Sequence, residues 1–315
     1  MTAGVKGFHT RRSVLGAGVA AAACITLPGR VFAAGGAQVT TTKLNSRLLL
    51  ISGLGGNLVA LRGDEGLLLV DSGAPGSTDQ LIVELAKFAR GAKVHTVFNT
   101  HWHAGQTGGN DVFGAAGAHL IAHAKAAQRM TVDQYVPTED RYLKARDKIA
   151  VPKEVFYNGS KPLQFGKEHI EYGYLQQPHT DGDIYVYLRE SNVLLAGDAV
   201  SPQRDPELVW FEGGWLGGRV DAQAKLLAIG NEQTRIIAST GGVISRTEVK
   251  TEHDAMVTAF DRVSETFRKG FTTEDMQKAR ILDGLPRTWA DPDKFIYAAH
   301  KGIWAHYNKI SHTIV

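Results

Sequence analysis

His101 and His103 stand two residues apart, just past an apolar run, Val94 to Asn99, that reads as a buried strand. Side chains at i and i+2 of a strand share a face, so the two imidazoles can converge while Trp102 turns away. Two further groups follow: His179 in Pro178-His179-Thr180-Asp181-Gly182-Asp183, and Asp198 closing Leu194-Leu195-Ala196-Gly197-Asp198. Catalytic zinc sites take three protein ligands and keep one position for water. His101, His103 and His179 supply that number, and water on such an ion falls toward a pKa of ~7. Asp198 could join the ligands or orient the water. With Asp71, these residues mark four sites at expected C-terminal strand ends, where open α/β sheets place their chemistry. Singly, each has a duller explanation: His179 suits a turn, and Asp71 and Asp198 suit turns or caps. The joint pattern carries the inference. The other histidines beyond residue 34 (His95, His119, His123, His169, His253, His300, His306 and His312) lack such a context and read as structural.

The elements that must hold these residues alternate in type. Strands are expected at Arg47–Ser52 and Asn57–Arg62, joined by Gly53-Leu54-Gly55-Gly56, and at Gly66–Val70, Val94–Asn99 and His119–Ala122. Further strands are expected at Ile170–Leu175, Ile184–Arg189, Val193–Leu195 and Thr234–Ala238. Leu81, Ile82, Leu85 and Phe88 form a helical stripe within Thr78–Arg90. Other helices are expected from Lys125 to about Lys148 and at Val220–Ile229, Thr247–Lys269, Thr273–Ala279 and Phe295–Tyr307, with Gly213–Arg219 a glycine-rich loop carrying Trp215. Strand-rich halves interleaved with helices argue for sheets packed between helix layers.

The 315 residues, 43% hydrophobic and 21% charged, have an ordinary globular profile. The net charge of +3 is misleading, because Lys6, Arg11, Arg12 and Arg30 fall in the first 33 residues, which hold no acid. Without them 31 basic residues face 32 acidic ones, a balance of −1 that excludes nucleic acid as an expected partner. Thr10-Arg11-Arg12-Ser13-Val14-Leu15 is a twin-arginine pattern, Val14 to Leu27 a mild apolar stretch, and Val31-Phe32-Ala33 a small-residue cleavage site. Residues 1–34 therefore read as a signal peptide and 35–315 as the working domain. The expected location is periplasmic or extracellular, with no membrane insertion after cleavage. Cys24, the sole cysteine, lies in that signal, so any metal of the mature chain is held by His and carboxylates.

The ordered run Gly55-Gly56-Asn57, Val70-Asp71-Ser72-Gly73, Asn99-Thr100-His101-Trp102-His103, Thr107-Gly108-Gly109-Asn110, His179-Thr180-Asp181-Gly182-Asp183 and Ala196-Gly197-Asp198 resembles the metallo-β-lactamase superfamily. The resemblance covers nearly all of residues 38–315. It implies an α/β fold, a four-layer αββα sandwich with extra C-terminal helices and a metal site at one edge of the two sheets. His101 and His103 match the first two histidines of the family pattern H-x-H-x-D-H, His179 its third ligand, and Asp198 the usual bridging aspartate. Gly105 stands at the pattern's Asp, Gln106 at its last His, and Thr240 at a late histidine, so the second metal position is depleted.

The expectation is one metal per chain, Zn2+ with Fe2+ as the alternative, and a small-molecule substrate. The reaction expected is hydrolysis of an ester, lactone, thioester or similar compound through metal-activated water. Alternatives are an iron dioxygenase of the persulfide type using His101, His179 and Asp198, a metal-dependent lyase, and a non-catalytic metal-binding member. Asp198 and Gln106 are the catalytic candidates, although an amide is no base near neutral pH. Trp102, Trp215 and Asn110 are candidates for substrate contacts, and Asp71 and Thr240 for support behind the ligands.

Overall fold

A computed structural model describes residues 38–308. The twin-arginine segment, Cys24 and His312 lie outside the described residues. The first sheet runs, in spatial order, β1 (Thr40–Lys43), β2 (Leu48–Ser52), β3 (Leu58–Gly63), β4 (Gly66–Val70), β5 (Val94–Phe98) and β6 (His119–His123). After a small hairpin, β7 (Gln134–Val136) and β8 (Arg141–Leu143), strand β9 (Glu154–Phe156) completes its far edge. The second sheet follows chain order: β10 (Ser160–Phe165), β11 (Glu168–Tyr174), β12 (Ile184–Leu188), β13 (Val193–Gly197), β14 (Arg235–Ala238) and β15 (Val243–Ile244).

Alternation along the strands builds the layers. In β4, Leu68 and Val70 face the second sheet, while Leu67 and Leu69 face the other way, and all four are buried. Strand β12 does the same with Ile184, Val186 and Leu188 turned inward and Tyr185 and Tyr187 outward. Strands that are apolar on both faces need cover on both. Helix α1 (Thr78–Phe88) supplies it outside the first sheet through Leu81 and Leu85, the stripe that the sequence shows. Short helices α2 (Ala104–Thr107), α3 (Asn110–Ala115) and α4 (Ala124–Met130) follow β5 and β6, and Phe113 of α3 joins the same cover. Outside the second sheet lie α5 (Leu216–Leu227) and the start of α6 (Arg246–Arg268). The rest of α6 packs with α7 (Thr273–Lys278) and α8 (Pro292–Tyr307) in a separate apolar cluster around Met256, Val263, Met276 and Phe295. The result is the expected αββα sandwich with extra C-terminal helices.

Three expectations need correction. The long helix from Lys125 ends at Met130, and the chain turns into the β7–β8 hairpin. Pro137 lacks an N–H, and Asp140 sits at φ 45, a left-handed turn position that no continuing helix allows. Helix α5 begins at Leu216, so Gly217 and Gly218 lie in its first turn rather than in a loop. A Cβ on Gly218 would come within 2.5 Å of the Gln177 carbonyl, which explains a glycine inside a helix. Strand β10 was not expected at all: it is a largely exposed edge carrying Pro162, where neither apolar pattern nor an inner ladder partner is required.

Candidate metal centre

The crossovers bring the chemistry to one edge of the sandwich. Strands β4 and β5 run parallel, as do β13 and β14, so Asp71, the His101–His103 segment, Asp198 and Ser239 all emerge at strand C-termini. Strand β5 ends at Phe98, and the two histidines lie beyond it, so strand alternation is not what converges them. The ladder is continued by other groups. Asp71 accepts from the Thr100 N–H at 2.7 Å and from Thr100 Oγ1 at 2.8 Å, and the Thr100 carbonyl accepts from the Ile184 N–H at 2.8 Å. Asp71 holds a left-handed φ of 65, which a short polar side chain tolerates when it is tied down locally. His103 is then the extended residue that opens α2.

One nitrogen from each of His101, His103 and His179 falls within 4.8 Å of the others. The second nitrogen of each ring has its own partner. His101 Nδ1 lies 3.2 Å from Thr100 Oγ1, which spends its proton on Asp71, so the ring donates and Nε2 is left with a lone pair. His103 Nε2 donates to Glu212 at 2.8 Å, and His179 Nδ1 donates to the Glu207 carbonyl at 2.9 Å. These bonds leave His101 Nε2, His103 Nδ1 and His179 Nε2 facing one point. His103 Nδ1 and His179 Nε2 are 3.2 Å apart, and His101 Nε2 is a buried atom without a hydrogen-bond partner. The donor set fits a divalent ion with nitrogen ligands, each oriented by an outer partner.

Burial and these same partners set the charges around the site. Burial, with the His103 and His179 rings beside it, holds His101 well below the usual histidine range. Burial also opposes a charge on His103, but the Glu212 carboxylate outweighs it and raises this group to about 9. Burial disfavours the Asp198 charge, yet His179, His101 and Arg204 hold its carboxyl well below the ordinary range. Asp198 Oδ2 lies 3.5 Å from His101 Nε2 and 3.9 Å from His179 Nε2, beside the histidine cluster. Burial pushes Asp71 up to about 8 against its two bonds from Thr100.

The other sequence candidates are placed less centrally. Gln106 is buried, its carbonyl accepts from Ser72 and Asn99, and its amide nitrogen lies against Gly56. Trp102 does not turn away from the histidines: it packs in a core with Ala122, Ala126 and Met130, its ring stands edge-on to His103 with centroids 5.2 Å apart, and its indole donates to Glu212 at 3.0 Å. Asn110 is fully enclosed, bonded to Asn99, Ser72 and the Ala150 carbonyl, so its side chain pins loops together instead of facing substrate. Trp215 turns toward the C-terminal helices and stacks on His306 with ring centroids 3.7 Å apart. Thr240 is exposed and accepts from Arg204 Nε at 2.9 Å.

Sequence reasoning missed four residues. Glu212 sits in a 3-10 turn, Trp210–Glu212, whose approach to the His179 loop is close enough that a Cβ on Gly214 would fall 2.0 Å from the His179 carbonyl. Arg219, fully buried, donates to the Asp198 carbonyl at 2.7 Å and to Glu252 at 2.8 Å. Arg204 reaches Asp198 from a loop. The one available signal was charged residues at otherwise apolar helix positions, Arg219 in α5 and Glu252 in α6.

A family model described as the metallo-beta-lactamase superfamily matches residues 51–236. No curated protein matches the chain. Among solved structures, a metallo-beta-lactamase from Pontibacter korlensis superposes with a TM-score of 0.57 at 17% identity, covering 70% of this chain and 99% of its own. The DIM-1 metallo-beta-lactamase gives 0.55 at 19% identity, over 70% of this chain and 98% of its own. The stereoselective inverting sec-alkylsulfatase Pisa1 from Pseudomonas sp. gives 0.63 at 14% identity, over 85% of this chain. The chain spans half the length of that alkylsulfatase.

Proposed function

The chain belongs to the metallo-beta-lactamase superfamily, and from that membership we propose that it is an exported mononuclear hydrolase, using zinc, of a small ester, lactone, thioester or similar compound. The supporting observation is the set of three lone pairs, from His101 Nε2, His103 Nδ1 and His179 Nε2, fixed toward one point by bonds at the far side of each ring. Zinc held there would act as a Lewis acid and lower the pKa of water to ~7. The chain's own residues do the rest. Glu212 fixes the ring orientation of His103, Asp71 acts through Thr100 on His101, and Asp198 Oδ2 is the acceptor nearest to His101 and His179. Ionised over the whole neutral range, Asp198 can accept a hydrogen bond at that oxygen.

His103 bears on the alternative with two histidines and a carboxylate, which would leave it spare. Glu212 instead holds it so that Nδ1 faces the cluster. Export is proposed from the Arg11-Arg12 segment and the Val31-Phe32-Ala33 site. Metal analysis together with turnover of a panel of lactones, esters, thioesters, a β-lactam and a secondary alkyl sulfate tests the reading. One zinc per chain, lost with activity in His103→Ala, is expected. Bound iron with oxygen consumption, or a metal-free chain indifferent to that substitution, overturns it.

A further inference from the structure

Asp198 already has a cation. Arg204 Nη2 makes a short contact with Asp198 Oδ1, and Arg204 Nε donates to Thr240 Oγ1 at 2.9 Å. One guanidinium therefore joins the carboxylate that would bridge two metals to the hydroxyl standing where a late histidine ligand would be. The remaining positions add nothing to hold an ion: Gly105 has no side chain, and the Gln106 amide lies against Gly56. A second divalent cation does not fit this donor set.

The arginine is built into its position. Its carbonyl accepts from Arg287 Nη2 at 2.6 Å. The neighbouring Gln203 Oε1 accepts from the Gly242 N–H at 3.4 Å and stands 2.3 Å from where a Cβ on Gly241 would fall. Gly241, at φ +88, holds a left-handed conformation that favours glycine. On the other side, Asn57 Nδ2 donates to the Ala238 and Gly241 carbonyls at 2.9 Å each, tying the β2–β3 turn to the same segment. The guanidinium bridges Asp198 on one segment to Thr240 on the other.

We infer that Arg204 is a resident cation in the second metal's place, a positioning residue that holds Asp198 Oδ1, leaves Oδ2 for the histidine cluster and keeps the site mononuclear. A guanidinium stays charged at any working pH, so this charge does not depend on metal supply. The inference rests on the metal reading above.

The test restores the missing ligands with and without the arginine. Zinc stoichiometry, by calorimetry and elemental analysis, is compared between Gly105→Asp/Gln106→His/Thr240→His and the same chain carrying Arg204→Ala. The first is expected to stay at one zinc per chain and the second to reach two. Equal stoichiometry in the two chains, at either value, overturns the inference. If those chains do not fold, cobalt(II) spectra of the otherwise native protein decide. Arg204→Ala frees Asp198 and should alter the visible bands, and Arg204→Lys should restore them in part. A spectrum unchanged in Arg204→Ala overturns the inference. A native protein that binds neither zinc nor cobalt refutes the metal reading itself, a result distinct from both.

Discussion

Glu212→Gln isolates one oriented ligand. Glu212 Oε2 receives both the His103 Nε2–H at 2.8 Å and the Trp102 indole N–H at 3.0 Å, and the residue is buried. Burial opposes its charge, but His103 and Arg129 hold it below the usual carboxylate range, so it is ionised at neutral pH. Glutamine keeps the shape and one acceptor oxygen but removes the charge. Loss of an outer partner of this kind costs ~10- to 100-fold in metal affinity, or about 1.4 to 2.7 kcal/mol. A second effect has the opposite sign. With His103 raised to about 9, a proton competes with the metal at pH 7 by roughly 100-fold, and the competition fades as pH rises through 9. The substitution removes the cause of that elevation, so the competition should shrink as well. Zinc affinity of the native chain should therefore climb between pH 7 and 9, while Glu212→Gln should climb less and fall clearly below it only near pH 9. Competition with a chromophoric chelator at each pH measures both curves. Parallel curves, or equal affinity at pH 9, would refute the assignment of Glu212 as the orienting charge.

Three other outcomes follow from the same geometry. His179→Ala should abolish stoichiometric zinc binding while keeping the native circular dichroism spectrum, because its ring contributes to the metal point and only one hydrogen bond outside it. Arg219→Met strands Glu252 in the core and should cost ~3–5 kcal/mol in urea unfolding; Arg219→Met/Glu252→Leu should recover most of that loss. Gly214→Ala would drive a methyl against the His179 carbonyl; a loss of ~1–3 kcal/mol and weaker zinc binding are expected, by thermal melting with and without metal.

His101 and His103 were legible because they come just after a strand whose apolar run is visible, and His179 and Asp198 because their motifs follow in the same order along the chain. Their partners were not. Glu212 and Arg204 lie in irregular loops, where no periodicity marks which side chain turns inward. Aromatic residues misled for a related reason: Trp102 beside two ligands invites a substrate role, yet its ring fills a core and its N–H serves Glu212. Asn110 was placed correctly next to the glycine pair, but burial turns its amide to four internal bonds. Edge strands β1 and β10 escaped notice because they are exposed and carry no alternating apolar signal.

The site exists only where the two sheets meet. His101 and His103 follow β5 of the first sheet, whereas His179 and Asp198 belong to the second. Between them runs the inner core of Leu68, Val70, Phe98, Ile184, Val186 and Leu195, bridged at its edge by the Ile184 N–H bond to Thr100. Each half alone presents at most two nitrogen ligands, short of the three that a catalytic zinc site takes from the protein. A metal bound by both halves therefore favours the packed sandwich over any state in which the sheets separate, since binding to the native arrangement alone stabilises it by mass action. The large apolar interface and the small polar centre at its rim therefore stabilise one another.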